Sequence, residues 1–278
     1  MIKDILVCLE GSASSERATD LAIEIARELS ARLMGLAIVD EPDIRAGAAT
    51  GIGGASFKQR RDEVLLEDAH KQVADWLLIF EARCRDAGIS ARVLELRGRP
   101  APKILEEMQL HDMTLIGRDA NFLFETKDED VETRDNVLHR AGKPVIVVPE
   151  EPAKTGPDVL VAYDGSSASN RAVRALADSG LARGRKVHVA SVQDDGEEAW
   201  EMASRGVELL KTLSIPSKPR SVVSALPIAD AILEARAKLG AGMLVIGAYT
   251  RSRLKELIWG SVTRTLLEKC PVPIFLHH

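Results

Sequence analysis

The stretch Asp4-Ile-Leu-Val-Cys-Leu-Glu-Gly-Ser12 returns 154 residues later as Asp158-Val-Leu-Val-Ala-Tyr-Asp-Gly-Ser166. Both copies run an apolar, β-branched segment into an acidic residue, a glycine and a serine. This pattern reads as a strand buried on both faces, then a turn and a helix N-cap. Further matches follow in the same order. Leu115-Ile-Gly117 pairs with Val245-Ile-Gly247 at an offset of 130, and Pro144-Val145 with Pro271-Val272 at 127. Ordered matches at a shrinking offset mark an internal repeat whose second copy is shorter by about 27 residues. The surplus of the first copy falls in the Gly/Ala-rich stretch 45–57 and the long helical pattern after it. The junction, Pro149-Glu-Glu-Pro-Ala-Lys-Thr-Gly-Pro157, can continue neither a strand nor a helix. The expected domains are therefore residues 1–150 and 157–278.

Outward from that first strand, short apolar runs alternate with helical patterns. In copy one the strands are expected at 5–9, 34–39, 91–96, 114–117 and 145–148, with helices over 14–33, 58–87, 101–111 and about 134–141. Copy two follows the same order, from a strand at 159–163 and a helix at 167–181 to a last strand at 272–276. Strand–helix alternation of this length predicts an α/β fold, with two tandem doubly wound, Rossmann-like domains on parallel sheets.

Composition fits that class. The 278 residues are 45% hydrophobic and 28% charged, and no apolar run reaches the ~18 residues a membrane span needs. The first ten residues turn acidic too early for a signal peptide. The three cysteines, Cys8, Cys84 and Cys270, are far apart and form no CxxC, which fits a reducing, cytoplasmic setting. A net charge of −5 argues against a general nucleic-acid binder. The charge is uneven: residues 1–150 carry 20 basic and 28 acidic side chains, whereas residues 151–278 carry 17 and 14. A polyanionic ligand is favoured by the second copy.

Ligands of open parallel sheets bind beyond the carboxyl ends of the strands, where strand order reverses. In copy two the first strand is followed by Asp164-Gly165-Ser166. The fourth ends at Gly247, followed by Ala248-Tyr249-Thr250, nine residues, and then Gly260-Ser261-Val262-Thr263. A Gly-Ser pair at a helix start offers free backbone N–H groups, a hydroxyl and the positive end of the dipole, all suited to phosphate. The plain alternative is a simple helix cap, with Gly247 merely ending a strand. Arg251, Arg253 and Lys255 lie inside the loop.

The Asp-Gly-Ser turn, the Gly-x2-x-x9-Gly-Ser loop and the following Val-Thr-x-x-Leu-Leu and Pro-Val-Pro-Ile segments resemble the universal stress protein family, in two tandem copies spanning the chain. The resemblance implies five-stranded parallel sheets of order 3-2-1-4-5. It also implies an adenine nucleotide, ATP, ADP or AMP, with Mg or Mn shared by the triphosphate. Carried over, Ala162, Asp164 and Val192 line the adenosine pocket. Ile246, Gly247, Thr250, Gly260, Ser261, Val262 and Thr263 form the phosphate side. The family motif is Gly-x2-Gly-x9-Gly-(Ser/Thr), and Thr250 stands where its second glycine belongs. A Cβ there crowds a phosphate, while its hydroxyl can donate to one. No catalytic residue is assigned, because no general base is found for the γ-phosphate end.

Copy one departs further. Glu10 replaces the aspartate, and Gly260-Ser261 falls opposite Thr133-Arg134 to within a residue. The stretch between Arg118 and Ala141 contains no glycine and is rich in acids around 125–135. That copy is expected to be degenerate. Gly51-Ile-Gly53-Gly54 misses dinucleotide-loop spacing and reads as a loop over copy one. Trp76 and Trp200 read as core or interface packing residues, and Trp259 as a reporter beside the phosphate loop. His139 and His188 read as surface or structural.

The leading reading is a regulatory nucleotide-binding protein with slow or no hydrolysis. Its alternative is a nucleotide-free interaction scaffold. In either case the final strands, 145–148 and 272–276, are edges that could pair with each other as an intramolecular pseudo-dimer, or support a homodimer. A third possibility is another ligand in copy one, whose Glu10, Arg97-Gly-Arg99 and Gly117 leave a polar mouth.

Overall fold

The computed structural model describes residues 2–46, 55–122, 124, 132–153, 155–247 and 260–278. The chain divides into two compact units, residues 3–140 and residues 141–278 with residue 2.

The unit of residues 3–140 runs β1 (Asp4–Leu9), α1 (Ala13–Leu29), β2 (Arg32–Val39), α2 (Glu41–Ala46), α3 (Ala55–Asp86), β3 (Ala91–Arg97), α4 (Pro100–Met108), β4 (Met113–Gly117) and α5 (Glu132–Arg140). Its strands lie in the order β3-β2-β1-β4, all parallel, with Leu6 opposite both Met34 and Thr114. β1 and β4 are buried along almost their whole length, as strands covered on both faces must be. Helix α1 ends earlier than its apolar pattern suggests. Ser30 takes a left-handed conformation at φ 55°, and the Arg32 N–H donates to the Lys3 carbonyl at 2.8 Å, so the chain enters β2 at once. Apolar Ala31 and Leu33, which prolong the helical pattern, are instead the turn and the first buried strand position. The six-residue helix α2 has too little periodicity to be read in sequence.

The second unit runs β5 (Val145–Val148), β6 (Val159–Ala162), α6 (Ser167–Ser179), β7 (Val187–Gln193), α7 (Gly196–Thr212), β8 (Ser217–Val223), α8 (Ile228–Leu239), β9 (Met243–Gly247), α9 (Ser261–Lys269) and β10 (Ile274–His277). The order β8-β7-β6-β9-β10 gives the second repeat the 3-2-1-4-5 arrangement, with parallel pairing throughout. β5 adds antiparallel to β10, with Ile274 opposite Val147 and Leu276 opposite Val145. The last strands of the two repeats therefore pair with each other, and this pairing groups β5 with the second unit. The three cysteines are buried, and none forms a disulfide among the described residues.

Two local devices set the end of the sheet where strand order reverses. Ser12 and Ser166 cap α1 and α6, each accepting from the N–H three residues on at 3.1 Å, worth about 1 kcal/mol apiece. Gly117 and Gly247 let those helix starts press against the ends of β4 and β9. A Cβ on Gly117 would lie 2.9 Å from the Ser15 nitrogen, and one on Gly247 would lie 2.8 Å from the Ala168 carbonyl oxygen.

Candidate functional site

In the second unit the reversal point lies between β6 and β9, and a cavity of about 300 Å³ opens there. Ala162, Ala190, Val192, Ile246, Ile228 and Ile232 form its apolar part. They come from the ends of three strands and from one face of α8, where Ile228 and Ile232 are one turn apart. Asp164, Gly247, Gly260, Ser261, Val262 and Thr263 line the same space. The structure thus gathers the sequence-derived residues along one cavity, apart from Thr250, which lies outside the described residues, as do Arg251, Arg253, Lys255 and Trp259.

Asp164 is held by the turn that precedes α6. Its Oδ1 accepts from the Ser166 N–H at 3.0 Å. Burial pushes its carboxyl up, but hydrogen bonds from the Ser166 side chain and backbone and from Ser169 outweigh this and hold it below its ordinary value. Asp164 is therefore a fixed anion near neutral pH, suited to accept from hydroxyls of a ligand. It is also the only carboxylate among the described residues lining the cavity.

The opposite end is the start of α9. Gly260 occupies the N-cap position at φ −58° and has no side chain with which to cap the helix. A Cβ built on Gly260 meets nothing within 4 Å among the described residues. Their packing therefore does not require this glycine, in contrast to Gly247, whose Cβ would overlap the start of α6. The uncapped N–H groups and the hydroxyls of Ser261 and Thr263 form a donor-rich rim. Ser191, 2% exposed, adds a buried Oγ with no hydrogen-bond partner among the described residues. An orphaned hydroxyl beside a cavity fits a site completed by a ligand or water.

Reading the strand-end motifs alone misses Ile228, Ile232, Leu266, Ala190, Ser191, Tyr163 and Ser169. The aliphatic residues carry no separate signal, since an apolar helix face reads as core wherever it points. Ser191 carries a weak signal, as a polar residue in the buried strand Val187–Gln193.

At the same corner of the first unit the described residues pack on one another. Matching α5 to α9 end to end places Glu132 opposite Ser261 and Arg134 opposite Thr263, so the Gly260-Ser261 position falls two residues earlier than the sequence spacing suggests. Arg134 is 5% exposed. Its Nη1 donates to the Arg118 carbonyl at 2.5 Å, and its Nε donates to Asp135 at 2.9 Å. Ala120 and Phe122 are buried just beyond β4. The Asn121 backbone donates to Glu10, which also accepts from the Ser12 hydroxyl and from the Ser12 N–H at 3.2 Å. Burial, the largest influence, pushes the Glu10 carboxyl up to about 7, against the opposing effect of these hydrogen bonds.

Other sequence candidates have structural surroundings. His188 is buried, 3.5 Å from the Asp158 carboxylate. Trp76 stacks on Phe124 with ring centroids 6.1 Å apart, whereas Trp200 is 53% exposed and so lies outside the core. Gly51, Gly53 and Gly54 lie outside the described residues. Among the described residues, no three His, Cys, Asp or Glu side chains are grouped to hold a metal, and no helix is long and apolar enough to cross a membrane.

Strands in the doubly wound order in each unit, and a cavity at the reversal point of the second, define a tandem α/β protein. Residues 1–123 and 157–278 both match the Universal stress protein family, and the chain belongs to that family. Universal stress protein Slr1230 of Synechocystis sp. is 22% identical over 286 residues, covering 98% of this chain and 99% of its own. The crystal structure of a universal stress protein from Archaeoglobus fulgidus DSM 4304 shares the fold at a TM-score of 0.71 and 19% identity, over 98% of this chain and 97% of that one. Another from Archaeoglobus fulgidus, solved in complex with dAMP, is 24% identical over 43% of this chain and 95% of its own, at a TM-score of 0.36.

Proposed function

We propose that this stress protein is a cytoplasmic regulator that binds one adenine nucleotide, ATP, ADP or AMP, in the cavity of its second repeat. One observation carries the reading. An apolar slot and an uncapped helix start, whose glycine packing does not require, share one cavity at the strand-order reversal. Ala162, Val192, Ile228 and Ile246 would enclose the base, and Asp164 would accept from the ribose hydroxyls. Gly260, Ser261, Val262 and Thr263 would receive the phosphates. A divalent ion, Mg or Mn, would be held mainly by the phosphates themselves, since Asp164 is the only described carboxylate at the cavity and sits at the sugar end.

The same arrangement argues for slow or absent hydrolysis. Activating water needs a base within hydrogen-bond reach of the γ-phosphate, and the described residues at the helix end supply hydroxyls and N–H groups instead. Binding would therefore act on conformation or partners. The antiparallel pairing of β5 with β10 covers the last strand of the second repeat, so a homodimer would use another face.

The test is to purify the protein without added nucleotide, denature it and identify the released small molecule by mass spectrometry, followed by ATP–Mg²⁺ titration. One adenine nucleotide per chain is expected. Two per chain would overturn the assignment of a single site. None released and none bound would favour the nucleotide-free scaffold.

A further inference from the structure

The first unit holds a second cavity, of about 430 Å³, away from the filled corner at Glu10. It lies between α2, α4 and α5, with Asp40 and Asp43 on one side and Arg99 and Arg140 on the others. Its construction is particular to the first repeat. Helix α2 belongs to the insertion that the second copy lacks. Matching the N-caps of α4 and α8 sets Arg99 opposite Pro227 and Pro102 opposite Asp230. Matching α5 to α9 sets Arg140 opposite Lys269 and Thr133 opposite Val262.

The comparison within the chain explains why the arginines are available. In the second unit Lys269 reaches Asp230 at 3.3 Å and ties α9 to α8. In the first, Asp230 is replaced by Pro102, which lines the cavity, and Arg140 is left facing it. Among the described residues neither the Arg140 nor the Arg99 guanidinium forms a hydrogen bond or ion pair, although the Arg99 charge acts on Asp40 across the cavity. Asp40, 5% exposed, directs Oδ1 to the Asp43 N–H at 3.0 Å.

Two guanidiniums and two carboxylates around one cavity select against simple ions. An anion would meet Asp40 and Asp43, and a cation would meet Arg99 and Arg140. A molecule carrying both charges satisfies both sets, its carboxylate bridging the arginines and its ammonium donating to the aspartates. We propose that the first repeat binds a small zwitterion of the amino-acid class between α2, α4 and α5. The site is separate from the nucleotide cavity and does not depend on that reading.

The experiment uses the full-length chain and isothermal titration. The twenty amino acids are added first as a mixture and then singly, with succinate, inorganic phosphate and ethanolamine as single-charge controls. At least one amino acid is expected to bind at one per chain. Arg99→Gln and Arg140→Gln should each weaken binding about tenfold or more. Both residues are exposed, so circular dichroism should show the fold intact. Lys269→Gln and Gly260→Glu should leave the affinity unchanged. The proposal is overturned if no amino acid binds at about 10 mM, or if binding survives both arginine substitutions. It is equally overturned if succinate or phosphate binds as tightly, or if Lys269→Gln weakens binding as much as Arg140→Gln does.

Discussion

Glu10 makes the first unit sensitive to pH, and the effect can be worked from its surroundings. The carboxyl is 7% exposed, and its ionisation is shifted from an ordinary 4.5 to about 7, mainly by burial. Below pH 4.5 the group is protonated both folded and unfolded, and no penalty arises. As pH rises from 4.5 towards 7, the unfolded chain releases the proton while the folded chain retains it, so stability falls. Above 7 the loss levels off. A shift from 4.5 to about 7, at 1.36 kcal/mol per unit, corresponds to about 3 kcal/mol at full extent.

Glu10→Gln removes the ionisation and keeps an oxygen able to accept from the Ser12 N–H. The substituted chain should therefore be more stable than the natural one at pH 8, by about 1–3 kcal/mol. At pH 4.5 the two should be nearly equal. Buried Asp40 is also shifted upward and adds a slope of the same sign, so the difference between natural and Glu10→Gln proteins is what isolates Glu10. Urea unfolding can be followed through Trp76, which packs against Gly11 in this unit, in a background carrying Trp200→Phe and Trp259→Phe. An unchanged pH slope in Glu10→Gln would refute the account.

The remaining expectations concern the second unit. Gly260→Glu should abolish nucleotide binding by titration while shifting the unfolding midpoint little, because the position has open space around it; retained binding removes α9 from the phosphate site. Asp164→Ala should weaken adenosine about tenfold or more while leaving pyrophosphate affinity nearly unchanged; equal losses for both would move Asp164 away from the sugar. Gly247→Ala should destabilise the unit by about 2 kcal/mol or more, as its Cβ would overlap the start of α6. Gly260→Ala should cost about 1 kcal/mol or less, and similar losses at both glycines in urea unfolding would contradict the distinction between them.

The doubly wound class and the cavity rim were legible because repeated strands end in repeated turns, whereas the strand order came only with the family resemblance. Asp164, Gly247 and Gly260 could be placed from spacing alone, since the reversal point of a doubly wound sheet is a topological position. The walls were not legible. Ile228 and Ile232 occupy an ordinary apolar helix face, and no pattern in one sequence says whether such a face meets a neighbour or a cavity. The amphiphilic cavity of the first unit was legible only at one point: Arg99 reads as part of a polar mouth in copy one, whereas Asp40 and Arg140 are scattered and carry no signal that joins them to it. Only the packing of α2, α4 and α5 brings them together. The sequence spacing also misplaced the start of α5 by two residues, because no glycine marks it.

The paired glycines show what an intact motif position does and does not establish. Gly117 and Gly247 occupy the same place in the two repeats and admit the same helix start, yet only Gly247 lines the cavity described at its reversal point. Their shared presence follows from packing, so neither is evidence of a phosphate. The informative differences are at positions the fold leaves free. Gly260 has open space around it among the described residues, whereas the matching corner of the first repeat receives Arg134 and the buried Phe122. Asp164 remains exposed and ionised, whereas Glu10, one methylene longer, turns inward under Asn121. One repeat keeps its corner open where packing makes no demand, and the other uses the same freedom to fill it. That contrast, rather than the glycine shared by both, favours placing the nucleotide in the second repeat.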